Sequence, residues 1–251
     1  ERVLQEGVFA AANGLFGITF TERTDLRGYN DEVRVFQVDE ADGTPIGLYL
    51  ADFYTRAGKQ GGAWMNNVRD QNHLLHQLPI VTNNANLVKP PAGEPTLMAW
   101  DDVITLFHEF GHALHGLLSD TRYRSQSGTE TPRDFVEYPS QVNEMWALEP
   151  SLLRSYAVHY ATGEPLPAAW VETLISSNRY GQGYKTTEYL GAALLDQVWH
   201  ATPLAELPSG PDEVEAFEQA ALAKVGLDYP LVPPRYRSAY FRHAFEGGYD
   251  A

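Results

Sequence analysis

The chain has 251 residues, 43% hydrophobic and 20% charged, a balance that supports a buried core and excludes a disordered polar chain. Its net charge of −15 and pI near 4.8 disfavour nucleic acid and anionic membranes as partners, since both call for basic patches. It has no cysteine, which excludes disulfides and thiol chemistry, and no apolar run long enough to span a bilayer.

In chain order, spaced apolar residues Val3, Leu4, Val8, Ala11 and Leu15 predict a helix ending near Asn13 and Gly14. A short strand is predicted over 18–20. Residues 33–38 alternate and are rich in β-branched side chains, so they read as a strand. The Asp42-Gly43 pair signals a turn and 46–54 reads as the partner strand of a hairpin. Residues 61–64, Gly-Gly-Ala-Trp, read as an edge or loop suited to pairing with an extended peptide, or as a plain Gly-rich connector. Another strand is predicted over 78–87, and the Pro- and Gly-punctuated stretch 89–95 is a loop.

A long helix follows, with Asp101 or Asp102 as N-cap and Val103, Leu106, Phe107, Phe110, Leu114 and Leu117 on its apolar face. Polar residues 119–132 then read as a loop well placed to move over a substrate, with a plain surface connector as the alternative. Residues 133–144 read as the entry to a second helix, with Pro139 in its first turn. Helical patterns recur over 152–160, 168–175, 186–200 and 212–222, and Gly181-Gln182-Gly183 reads as a turn.

The long helix carries His108-Glu109-Phe110-Gly111-His112. Positions i and i+4 of a helix lie on one face, so both imidazoles aim at one point with the Glu109 carboxylate beside it. Two histidines plus an adjacent carboxylate are the parts of a Zn²⁺ site with a base next to the metal's water. A third protein ligand is required. The extended histidine pattern needs Gly at 115 and His at 118, where this chain has His115 and Leu118. A downstream acid is the other solution. The candidates are Asp120, Glu130, Asp134, Glu137, Glu144 and Glu149, of which Glu137 and Glu144 lie two turns apart on one predicted face. Spacing alone does not choose between these two. His73, His76, His159 and His200 read as packed or surface residues; His115 reads the same way, with a position behind the ligands as its alternative.

Together with Ser127-Gly128-Thr129, the run from Asp134 to Gln141, the run from Asn143 to Pro150 and the run from Thr187 to Asp196, this motif resembles the thimet-oligopeptidase-like zinc peptidases. Within them it is most similar to the bacterial dipeptidyl carboxypeptidase branch. The resemblance implies one Zn²⁺ on His108, His112 and Glu137, with Glu109 as the base and Glu144 a supporting acid. It assigns His243 and Tyr249 to the substrate and the developing oxyanion. A second such tyrosine falls beyond Ala251, and losing one oxyanion donor costs about 10²–10³ in kcat. The implied fold is α+β and predominantly helical, a zincin-like catalytic domain with a small N-terminal β-sheet. The implied substrates are short peptides, cleaved to release C-terminal dipeptides. The alternatives are a general oligopeptidase cutting inside short peptides, or a truncated zinc- or peptide-binding fragment with little activity. The chain opens at Glu1 without methionine, and residues 1–251 are expected to be one catalytic domain, partial at both ends, of a longer protease. A cytoplasmic monomer is expected.

Overall fold

The computed structural model describes residues 1–239 and 245. The chain divides into two compact units, Glu1–Leu166 and Pro167–Ala251. Among the described residues, no helix is long and apolar enough to cross a membrane.

The first unit is mixed α+β. It opens with one helical run, π-helical over Val3–Phe9 and α-helical over Ala10–Phe16, here α1. The helix passes the expected stop at Asn13 because Gly17 ends it, at φ 74°, with its N–H donated to the Asn13 carbonyl. Glycine adopts this left-handed cap without a Cβ penalty. Strands β1 (Thr19–Glu22), β2 (Arg34–Asp39), β3 (Pro45–Tyr54), β4 (Trp64–Arg69) and β5 (Ile80–Leu87) form one sheet in the order β1-β2-β3-β5-β4. The predicted hairpin is β2 and β3, antiparallel, with Gly43 at φ 85° in its turn. Strand β5 lies parallel to β3 and antiparallel to β4. The edge or loop expected at 61–64 reaches only the first residue of β4, Trp64. The Asn66-Asn67 pair of β4 breaks the apolar alternation that marks a strand, and as an edge strand β4 needs little burial.

The sheet's inner face meets the helices through an aromatic cluster. Phe9 stacks on Phe20 with ring centres 4.0 Å apart, and Tyr49 meets Phe110 edge-on at 5.3 Å. Phe36, Tyr49, Phe107 and Phe110 are fully buried there. The opposite face carries a smaller cluster of Val33, Val35 and Leu50, with Leu48 and Ile80 against it.

The long helix α2 spans Trp100–Leu117. Its N-cap is Ala99 rather than Asp101 or Asp102. Asp102 instead reaches back from the first turn, its Oδ2 accepting the Ala99 N–H at 3.0 Å. That carboxylate also meets the positive end of the helix dipole. Two short helices follow, α3 (Arg133–Val136) and α4 (Tyr138–Glu144), with Glu137 at the break between them. Pro139 sits in the first turn of α4 as predicted. Helix α4 crosses α2 at Gly111, where a Cβ would fall 2.6 Å from Ser140 Cα and 2.7 Å from the Pro139 carbonyl oxygen. Only glycine permits that approach. Helix α5 (Pro150–Tyr156) is N-capped by the Glu149 carboxylate.

The second unit contains α6 (Ala168–Ser177), α7 (Gln182–Ala201) and α8 (Pro211–Ala223). Gln182 and Gly183, read as part of a turn, are the first turn of α7, with Gly181 as its N-cap. Buried Glu218 accepts from Arg237 Nε at 2.6 Å and from the Ser238 N–H at 2.7 Å, tying the segment after α8 to that helix.

Candidate active site

The site is built where α2 meets the break between α3 and α4. His108 Nε2 and His112 Nε2 each lie 3.1 Å from Glu137 Oε2. Among the described residues, these three form the one group of metal-ligating side chains whose donor atoms all lie within 4.8 Å of one another. The helix break positions Glu137: a continuous helix would have carried it along the same face as Glu144, whereas the turn at φ −84°, ψ −7° separates their tasks. Ser140, fully buried, donates its hydroxyl toward Glu137 Oε2 at 2.9 Å.

Glu144 reaches the other side of the first histidine. His108 Nδ1–H donates to Glu144 Oε1 at 2.7 Å, which fixes the ring and leaves Nε2 as the lone-pair donor facing Glu137. The remaining third-ligand candidates are elsewhere. Glu149 caps α5, Asp120 pairs with His73, and Glu130 and Asp134 lie outside the convergent group.

Glu109 is 8% exposed, and its Oε2 is buried without a partner. Burial, reinforced by the Glu137 charge and opposed by His108, pushes its carboxyl up to about 7. Burial holds the His112 imidazole below its usual range, against the pull of Glu137. Burial lowers His115 too; its ring meets Phe135 edge-on at 6.2 Å, and it stands outside the convergent group. His243 and Tyr249 lie outside the described residues.

Two buried asparagines that sequence reading passed over fix α2 in place. Asn83, on β5, donates Nδ2–H to the Glu109 main-chain carbonyl at 2.7 Å and accepts the Tyr49 hydroxyl at 3.0 Å. Asn143, on α4, donates to the Phe107 carbonyl at 2.6 Å. Glu109 and the residue before His108 are thus held from the sheet and from the helix that follows Glu137. For Asn83 the available signal was a polar residue between Val81 and Ala85 on one strand face, which burial tolerates only when paired.

Taken chemically, the arrangement offers two imidazoles and a carboxylate around one point, with an unpartnered carboxylate oxygen nearby. Sequence comparison places it among known proteins. Residues 1–251 match peptidase family M3. The chain is 52% identical over 249 residues to a dipeptidyl carboxypeptidase of Salmonella typhimurium, covering 99% of this chain and 36% of that protein. Identity to the dipeptidyl carboxypeptidase of Escherichia coli K12 is 48%, with the same coverage. Oligopeptidase A of E. coli K12 is 34% identical over 253 residues, 98% of this chain and 36% of that protein. The chain spans about a third of the length of these relatives. It belongs to peptidase family M3.

Proposed function

We propose that this chain carries the catalytic centre of a zinc-dependent peptidase of zincin-like fold, acting on short peptides and releasing C-terminal dipeptides. The convergence of His108, His112 and Glu137 beside the unpartnered Glu109 oxygen carries this reading. The donor set fits the metal. Two nitrogens and one oxygen face one point, and the tautomer of His108 is set by Glu144. Three protein ligands leave a position open, as hydrolytic zinc sites do and structural ones do not. When bound there, zinc supplies Lewis acidity to a water and to a peptide carbonyl.

The chain's own residues supply the proton chemistry. Glu109 Oε2, free of protein donors, takes the proton of the attacking water. Glu109 then passes that proton to the leaving amine. Ser140 and Glu144 hold the Glu137 carboxylate and the His108 ring while charge builds. Among the described residues, β4 pairs with β5 alone, which leaves its outer edge to hydrogen-bond an extended peptide. His243 and Tyr249 are proposed to face the substrate and the oxyanion.

Release of dipeptides is supported by the names of the two relatives at 52% and 48% identity. The oligopeptidase A relatives support internal cleavage as the second reading. Mass spectrometry of products from one peptide, with its C-terminus free or amidated, separates the two. Dipeptides from the free form alone support the proposal. Internal cuts in both forms favour the oligopeptidase reading. No cleavage by zinc-loaded protein overturns catalysis.

A further inference from the structure

Glu109 Oε2 is buried without a partner, so no hydrogen bond from the protein aims that atom. The direction of the carboxylate is then set by the main chain that carries it. Two hydrogen bonds in series hold that main chain from the sheet. Asn83 Nδ2 donates to the Glu109 carbonyl at 2.7 Å, and Asn83 Oδ1 accepts the Tyr49 hydroxyl at 3.0 Å. The series runs in one direction only. A carbonyl has no proton to give, so the Asn83 amide must turn its N–H to Glu109. Its oxygen is left facing Tyr49, which must donate. Burial, with the Glu109 charge adding to it, pushes the Tyr49 hydroxyl well above its ordinary 10, so the donated proton is kept.

Both residues sit on rigid supports. Asn83 is on β5, which lies between β3 and β4, with Ala51 and Met65 as its strand neighbours. Tyr49 is fully buried, and its ring meets Phe9 and Phe110 edge-on at 5.8 and 5.3 Å. We propose that Tyr49 is a positioning residue for the base: its hydroxyl locks the Asn83 amide, and the locked amide fixes the main chain of α2 at Glu109. This role rests on the peptidase reading. Without the hydroxyl, the amide is free to turn its oxygen toward the Glu109 carbonyl, where two acceptors repel and this turn of α2 is displaced. The metal ligands have other anchors. Glu144 orients His108, and α2 is held from α4 by Asn143 at Phe107 and by the close approach at Gly111. Losing the hydroxyl therefore disturbs the base and spares the metal site. Misplacing a reacting group by about 1 Å costs up to about 100-fold in rate. The proton moves in the chemical step, so kcat bears the loss.

The test compares zinc-loaded wild type, Tyr49→Phe, Asn83→Ala, the double variant and Val38→Ala. For each, kcat and KM on one short peptide, zinc content and the urea midpoint are measured. Val38→Ala trims a fully buried side chain of the same sheet outside this series of bonds, and so controls for lost stability. Tyr49→Phe and Asn83→Ala are each expected to lower kcat by about 10- to 100-fold, with KM and zinc content as in wild type. The double variant is expected to lose no more than Asn83→Ala alone, because Tyr49 acts through Asn83. Val38→Ala is expected to keep the wild-type kcat. If Asn83→Ala does not fold, Tyr49→Phe against Val38→Ala decides the matter. Wild-type kcat in Tyr49→Phe, losses that multiply in the double variant, or a loss shared by Val38→Ala overturns the positioning role and leaves the peptidase reading standing. No cleavage by zinc-loaded wild type overturns the peptidase reading and the positioning role with it.

Discussion

Replacing Glu109 by glutamine keeps the shape of a buried side chain and removes its titration. In the metal-free protein this has a calculable consequence. The folded-state carboxyl sits at about 7 against an ordinary value of 4.5, and burial is the main cause. A raised carboxyl binds its proton more tightly when folded, so the unfolded state is favoured once the pH exceeds the ordinary value. The cost begins near the unfolded value and is complete above the folded one. A shift of roughly 2.5 units at ~1.36 kcal/mol each gives ~3 kcal/mol above about pH 8, and under ~1 kcal/mol near pH 5. Glu109→Gln should therefore stabilise chelator-treated protein by ~3 kcal/mol at about pH 8 and by little at about pH 5. Urea denaturation of both proteins at the two pH values measures this. A bound divalent cation favours the carboxylate form, so the gain should shrink when zinc is restored. A difference between the proteins that is the same at both pH values would refute the assignment of a desolvated, titrating carboxyl at 109.

Other perturbations test the scaffold. Glu144→Ala frees the His108 ring and should weaken zinc binding by about 10–100-fold, read by competition with a chelating dye. Gly111→Ala places a methyl against Ser140 and Pro139, and should cost ~1–3 kcal/mol in urea denaturation as α4 is pushed away. Zinc affinity should fall with it, because Glu137 moves with α4. Lys59→Met leaves buried Asp52 with Arg56 and Tyr29 alone and strips a donor from three carbonyls, so it should cost ~3–5 kcal/mol. Burial pushes the Asp52 carboxyl up, but hydrogen bonds from Arg56, Tyr29 and Lys59 outweigh it and hold the group at about 2, below its ordinary 3.8. A depressed carboxyl stabilises the fold above its ordinary value and loses that contribution as pH falls toward about 2. The acid limb of the stability curve should therefore flatten in Asp52→Asn.

The pairing of His108 with His112 was legible because helical periodicity is a short-range property. His108 and His112 share a face by their spacing, and that spacing survives any tertiary context. The hairpin of β2 and β3 was legible for a similar reason, its turn and alternation being local. The choice between Glu137 and Glu144 was not local. It depends on a helix break at Glu137, which puts one acid at the convergent point and the other behind His108. Strand β4 escaped because an edge strand is specified by what pairs with it, and its Asn66 and Asn67 carry no apolar signal. Asn83 and Asn143 likewise take their meaning from carbonyls on another element.

His108, His112 and Glu137 are proposed to hold one zinc ion with Glu109 outside the ligand set. The most direct measurement is the zinc-to-protein ratio, by mass spectrometry, of wild type, Glu109→Gln and Glu137→Ala prepared in parallel. One zinc per chain is expected in wild type and in Glu109→Gln, and little in Glu137→Ala. Zinc retained in full by Glu137→Ala, or lost from Glu109→Gln, would contradict it.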